Sequence, residues 1–175
     1  MANPIYAIFK DNNGTVLPGQ VTENPDKDRS SRKDPAVEVI ALDHEIYLPT
    51  DEFSGKINSK RKHGEIKLLA EQDAVTPYFY KAIAEHWKFQ NVDLEFWSPD
   101  KAIHGQVSVG NTLFFTVSLE RAAPTYVKPV VEDIKNKEYE NYPHLVEIGL
   151  KYEYIKWFHH DGAIFGEDKD LTMVG

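Results

Sequence analysis

Between residues 113 and 120, Leu113, Phe115, Val117 and Leu119 alternate with Thr116, Ser118 and Glu120. A period of two sends successive side chains to opposite faces, so the segment predicts a strand with one wet face. The same period recurs in Ile5, Ala7 and Phe9, and in Val92, Leu94 and Phe96 set against Asp93, Glu95 and Trp97. Residues 66–69 predict a further strand. Residues 126–131 predict one that pairs back on 113–120, kept to the periphery by Pro124 and Pro129. In 144–158, Val146, Ile148, Leu150, Tyr152 and Tyr154 share a face before Ile155 and Trp157 take over the other. That change of phase implies a bulge or corner near Tyr154. Helical spacing is confined to residues 77–87, where Phe79, Ile83 and Trp87 follow at four-residue steps. Thr76 is placed to cap that helix and Pro77 to open it. About seven or eight strands and one short helix predict a mainly β fold: a β-barrel or two-sheet sandwich with one flanking α-helix and an extended loop. No repeat or composition break divides the chain, so residues 1–175 read as one domain.

The stretch 40–63 stands out within this pattern. Ile40, Leu42, Ile46 and Leu48 alternate as one apolar face, interrupted by His44, which reads as a hydrogen-bonded structural residue. Val37 and Val39 precede them on the opposite face, so either both faces are covered or a bulge switches them. After Pro49 comes a polar loop carrying Thr50, Asp51, Glu52, Ser54, Gly55, Lys56, Lys60, Arg61 and His63, with Phe53 and Ile57 as its large apolar side chains. A loop of about a dozen residues without periodicity is uncommon in a compact domain and is usually functional or disordered. It is the first candidate for a contact surface. Residues 23–35, charged and bounded by proline, predict a mobile loop, and the acidic tail after His159 predicts loose packing.

Composition narrows the chemistry. A formal charge of −8 gives no general attraction to nucleic acid or anionic lipid. The absence of cysteine excludes disulfides and thiolate chemistry. The first ten residues lack a basic region followed by an apolar run, and no stretch approaches membrane-spanning length, so neither a cleaved signal nor membrane insertion is expected. His159 and His160 are adjacent in a strand and point to opposite faces, which prevents them from gripping one ion together. Residues 105–110 lack the spacing of a nucleophile elbow, and no carboxylate pair is placed to share a substrate. Neither an enzyme nor a cofactor or metal is expected. Tyr6, Trp97, Phe114, Tyr126 and Trp157 fall on outward strand faces. They fit a monomeric carbohydrate-binding sandwich, or faces covered by the helix or by another subunit, and coverage is favoured.

Taken in order, MANPIYAIFK, VEVIALDHEIYLPTD, the Ser54-Gly55 loop, Arg61-x-His63, TPYFYKAI, LEFW and HLVEIGLKYEYIKW resemble the Hcp family, the tube-forming proteins of bacterial type VI secretion. The resemblance covers nearly the whole chain. It departs where Gly64-Glu65-Ile66-Lys67 follows Arg61-x-His63, where Ser98-Pro99 follows Trp97, and at Asp170-Leu171, which lacks a closing aromatic. The resemblance implies a β-barrel that assembles into hexameric rings. The rings stack head to tail into a tube surrounded by a contractile sheath, alongside the spike and baseplate. Small effector proteins travel in the lumen. Export from the cytoplasm proceeds without a signal peptide. The resemblance also assigns Thr50, Asp51, Ser54, Gly55, Arg61 and His63 to ring stacking. Charge adds Glu52, Lys56 and Lys60, which mix both signs in a way that suits contacts between copies.

Overall fold

The computed structural model describes residues 3–25, 31–57, 60–99, 102–103, 106–107, 110–133, 135–137, 139, 142–170 and 172–173. The chain opens with β1 (Ile5–Lys10), β2 (Val21–Glu23), β3 (Ser31–Asp43), β4 (Ile46–Tyr47), β5 (Lys62–His63) and β6 (Ile66–Glu71). The helix α1 (Thr76–Ala84) follows, then β7 (Phe89–Ser98), β8 (Ala102–Ile103), β9 (Gln106–Val107) and β10 (Thr112–Val130). It ends with β11 (Leu145–Lys151), β12 (Tyr154–His159), a single 3-10 turn (Asp161–Ala163) and β13 (Ile164–Lys169).

The main sheet has nine strands in the order β11-β6-β3-β1-β7-β10-β12-β13, with β2 on β3. Because β11 also pairs with β10, the strands β11, β6, β3, β1, β7 and β10 close into a 6-strand barrel. The mainly β barrel with one helix was legible in the period-two pattern.

One strand makes the closure. The first half of β10 runs antiparallel to β7 from Thr112↔Ser98 to Ala122↔Phe89 and to β12 on its other side, while the second half pairs with β11 from Ala123↔Lys151 to Val130↔Leu145. Between the halves Arg121 adopts φ 52°, and the register slips between Pro124 and Tyr126. Such irregularities bend a strand and sharpen its twist. Residues 126–131 therefore do not pair back on 113–120; they continue the same strand. Pro124 and Pro129 are tolerated because this half has a partner on one side only.

The start of β3 and the tail correct the sequence reading, while the phase switch in β3 and the corner before Tyr154 follow it. β3 begins at Ser31, inside the stretch expected to be a mobile loop, while residues 26–30 lie outside the described residues. Its charged start is held by Arg32, whose side chain is buried, ion-paired with Glu95, and stacked 5.2 Å from the Tyr6 ring centroid. A slip between Val39 and Ala41 switches the phase of β3, so Val37 and Val39 point inward, Leu42 and Ile46 pack against the core, and Ile40 and Leu48 stay half exposed. The expected corner lies at Tyr152-Glu153, between β11 and β12. The tail forms β13 against β12, and Asp170 behind it is buried, so this end does not pack loosely.

The helix starts at Thr76, but Thr76 does not cap it in the usual sense. Asp73 Oδ1 accepts the Val75 N–H at 2.8 Å, and Thr76 Oγ1 accepts the Asp73 N–H at 3.0 Å, a reciprocal exchange that fixes the entry turn. The helix ends at Ala84, before His86 turns left-handed at φ 55°, so Trp87 lies beyond it and meets Phe89 edge-on at 5.1 Å. Val75, Phe79 and Ala82 enter the barrel core, where Phe79 lies 4.9 Å from Phe9 and 6.0 Å from Phe89.

The five outward aromatics are half-buried, each with a partner from within the chain. Tyr6 lies under Arg32, Trp97 Nε1 donates to Glu95 at 3.0 Å, Phe114 meets His159, and Trp157 packs against the core. Tyr126 donates its hydroxyl to Glu147 at 2.8 Å and lies over Gly149, where an added Cβ would come within 2.3 Å of the ring. Burial, then the Glu147 carboxylate, push the Tyr126 hydroxyl up to about 12.

Replacing Phe79 with alanine leaves a void under Phe9 and Phe89. It should lower unfolding free energy by about 3–5 kcal/mol in urea titration. A loss below about 1 kcal/mol would show that the helix is not seated in the barrel.

Candidate functional site

The long loop is a hairpin rather than a structureless excursion. Thr50 and Ile57 form an isolated antiparallel bridge, Asp51 N–H donates to Lys56 O at 2.8 Å, and Gly55 N–H donates to Asp51 O at 2.8 Å. Asp51 Oδ1 accepts the N–H groups of Ser54 at 2.7 Å and Phe53 at 3.1 Å. An Asx side chain that takes two backbone donors organises a tight turn. Gly55 completes it at φ 65°, a conformation that costs glycine nothing. Hydrogen bonds from Ser54, its backbone first, hold the Asp51 carboxyl below the ordinary aspartate range. The ordered tip presents Phe53 at 99% exposure, with Ile57, Leu48 and Tyr47 also exposed along the hairpin.

Below the tip, β4 pairs with β5, matching Ile46 with His63 and Tyr47 with Lys62. Gly64 N–H donates to Glu45 O at 2.8 Å, so both legs leave the barrel together. Here His63 turns inward, is buried, and is met by Tyr152 from the corner between β11 and β12. The Tyr152 hydroxyl lies 2.8 Å from His63 Nδ1 and 2.9 Å from His44 Nε2. His63 Nε2 lies 3.1 Å from Asp168 Oδ2 on β13, and Arg61 grips the same carboxylate through Nε and Nη2. Lys151 Nζ donates to His63 O at 2.7 Å.

The electrostatics follow from this packing. The Arg61 hydrogen bond, first among several causes, holds the Asp168 carboxyl below its ordinary value. Burial, then the nearby His63 and Lys151, push His44 below the ordinary histidine range. Burial, then Asp170 and Asp168, raise the Tyr152 hydroxyl. Depression of a carboxyl stabilises the fold above the ordinary carboxylate range, and that contribution fades as pH falls through the folded-state value. Asp168 is of this kind.

The nine residues predicted from sequence thus fall into two groups. Thr50, Asp51, Glu52, Ser54, Gly55 and Lys56 belong to the projecting hairpin, and Lys60 is exposed on its descending leg. Arg61 and His63 lie at the root and are engaged by their own chain. His44 is hydrogen-bonded, as the sequence implied. Tyr152 and Asp168 were missed because they stand 89 and 105 residues from His63. The signal available was the Arg61-x-His63 pair itself, which in a half-buried setting demands a carboxylate. The histidines of the tail serve separate ends, His160 Nε2 meeting Thr116 Oγ1 at 2.9 Å and His159 Nδ1 meeting Asp161 O at 2.8 Å.

A family model described as "Type VI secretion system effector, Hcp" matches residues 26–159. The chain belongs to the Hcp family. It is 23% identical over 170 residues to the "Major exported protein" of Pseudomonas aeruginosa PAO1, covering 96% of this chain and 95% of that relative. The Hcp1 protein from the E. coli EAEC 042 pathovar shares 29% identity at a TM-score of 0.77, over 96% of this chain and 99% of that one. The secreted protein Hcp3 from Pseudomonas aeruginosa shares the fold at a TM-score of 0.69 and 16% identity, over 96% of this chain and 98% of that one. Among the described residues no helix is long and apolar enough to cross a membrane.

Tyr152→Phe removes the hydroxyl shared by two rings and leaves a buried nitrogen of His63 and a half-buried nitrogen of His44 without it. Urea unfolding at neutral pH should show a loss of about 1–3 kcal/mol. An unchanged midpoint would mean that water satisfies both rings.

Proposed function

We propose that this Hcp-family protein is the structural subunit of the type VI secretion inner tube, a non-enzymatic hexameric ring that stacks on identical rings. On this reading it is made in the cytoplasm, exported without a cleaved signal, surrounded by the contractile sheath, joined to spike and baseplate, and carries small effector proteins in its lumen. The observation that supports it is the hairpin at residues 50–57. Its turn is fixed by its own hydrogen bonds, yet it exposes Phe53 almost completely. Exposed apolar surface on an ordered projection marks a contact with another molecule. A preordered hairpin also loses little conformational freedom on docking.

Ring closure requires unlike surfaces that meet around a rotation axis. Among the described residues the sheet has unlike open edges, β13 on one side and β2 on the other. The hairpin provides a third surface, which leaves it available for the joint between rings. In this division of labour Thr50, Asp51, Glu52, Ser54, Gly55, Lys56 and Lys60 make the joint. Arg61 and His63 contribute by aiming the hairpin, because their polar atoms are taken by Asp168 and Tyr152.

Phe53→Ser tests this reading. Sedimentation and light scattering should find hexamer-sized rings for both proteins, with stacks formed by the parent alone. The stacking affinity should fall by about 2 kcal/mol or more, as for a central anchor residue. Stacks that persist in the variant would remove the hairpin from the joint, and a parent that remains monomeric would overturn the tube reading.

A further inference from the structure

At the hairpin root, two imidazole rings share one buried hydroxyl. Tyr152 is fully buried, and its ring lies edge-on to His44 at 5.7 Å and to His63 at 5.5 Å. Its hydroxyl carries a single proton and lies within hydrogen-bond distance of one nitrogen of each ring. Asp168, ionised and gripped by Arg61, accepts only, so His63 Nε2 carries a hydrogen toward it. With both rings neutral, His63 Nδ1 then accepts the Tyr152 proton and His44 Nε2–H donates to the Tyr152 oxygen. Every bond has one proton.

One added proton is accommodated. If His63 takes it, both its nitrogens donate, neutral His44 carries its hydrogen on Nδ1 instead of Nε2, the Tyr152 hydroxyl reverses to donate to His44 Nε2, and Asp168 balances the charge. A second proton is not accommodated. Both rings then donate to the Tyr152 oxygen, and its own hydrogen has no acceptor in a buried site. Two like charges also flank one hydroxyl, beside the Lys151 ammonium.

We propose that His44, Tyr152 and His63 form an acid-sensitive latch that holds the root of the hairpin to the barrel and opens when both rings are protonated. The groups facing it come from every neighbouring element. Asp43 and His44 come from the end of β3 and the residue after it, and Arg61 and His63 from β5 and its approach. Lys151 and Tyr152 come from the end of β11 and the corner after it, and Asp168 and Asp170 from β13 and the turn after it. Asp43 favours the charged form of His44; burial, His63 and Lys151 oppose it more strongly. Because the folded chain holds His44 below the ordinary histidine range, it binds fewer protons than the unfolded chain as pH falls through that range. The contribution of His44 therefore declines with acidification and is intact above the range. Under the tube reading, which this consequence alone rests on, acid would loosen the joint between rings by freeing the hairpin from its aim.

Amide exchange followed by mass spectrometry, corrected for the intrinsic pH dependence of exchange, tests the latch at about pH 7.5 and about pH 5. The parent should lose protection about tenfold across residues 44–47 and 60–64 at the lower pH, while β7 keeps its protection. His44→Gln, which still offers an N–H but cannot titrate, should hold that protection at both values; His44→Asn serves if the glutamine variant loses β7 protection. Unchanged protection in the parent, or the same loss in the variant, overturns the latch. Stack length measured on the same samples separates the two ideas. A root that opens in acid in a protein that never stacks upholds the latch and sinks the tube reading.

Discussion

The structure depends on one bent strand. β10 is shared between β7 and β11, and the bend from Arg121 to Tyr126 turns a sheet into a barrel. Closure pairs the six barrel strands with one another and leaves β2 and β13, which lie outside the ring of six, as edges. It also brings the corner after β11 and the strand β13 beside the root of the 50–57 hairpin. Glu153, beside Tyr152, reinforces this region. It is buried and held by Lys88 at 2.6 Å and Arg121 at 2.9 Å, so the residue that bends β10 also fixes the corner that carries Tyr152.

Hcp membership and a projecting hairpin meet in one arrangement: a closed barrel, and a surface finger rooted by buried His63 and Tyr152 and by the exposed Arg61–Asp168 pair. Arg61 and His63 show how a loop and a body are joined. Both lie in the stretch that resemblance associates with stacking, and in the structure both hydrogen-bond to their own chain. A side chain that is already partnered has little to offer a neighbouring subunit. Its effect on an interface is exerted through geometry, in the way that residues behind a binding surface preorganise those in front.

The period-two segments were legible because one face of each strand is buried in a shared core, as Val117 and Leu119 or Val92 and Leu94 show. What sequence reading missed depends on distant partners. The start of β3 looked like solvent-exposed charge because nothing near Arg32 in the chain shows that Glu95 and Tyr6 await it. The phase of β3 was ambiguous until the slip beside Val39 resolved it. The proline-punctuated half of β10 looked like a separate strand, because proline usually ends pairing, whereas here it lies where β10 pairs with β11 alone. At the candidate site, the tip residues were legible from local turn chemistry, Asp51 with Ser54 and Gly55. The root was not read: Arg61 and His63 were assigned to stacking, and only the fold supplies Asp168 and Tyr152 from the far end of the chain.

Electron cryomicroscopy of the purified protein at neutral pH tests the central claim most directly. The account predicts annular particles with an open channel, in which the hairpin at residues 50–57 crosses from each ring to the next and Phe53 is buried at the joint. Particles the size of single chains, or rings whose hairpins stay in solvent while other surfaces join them, would contradict it.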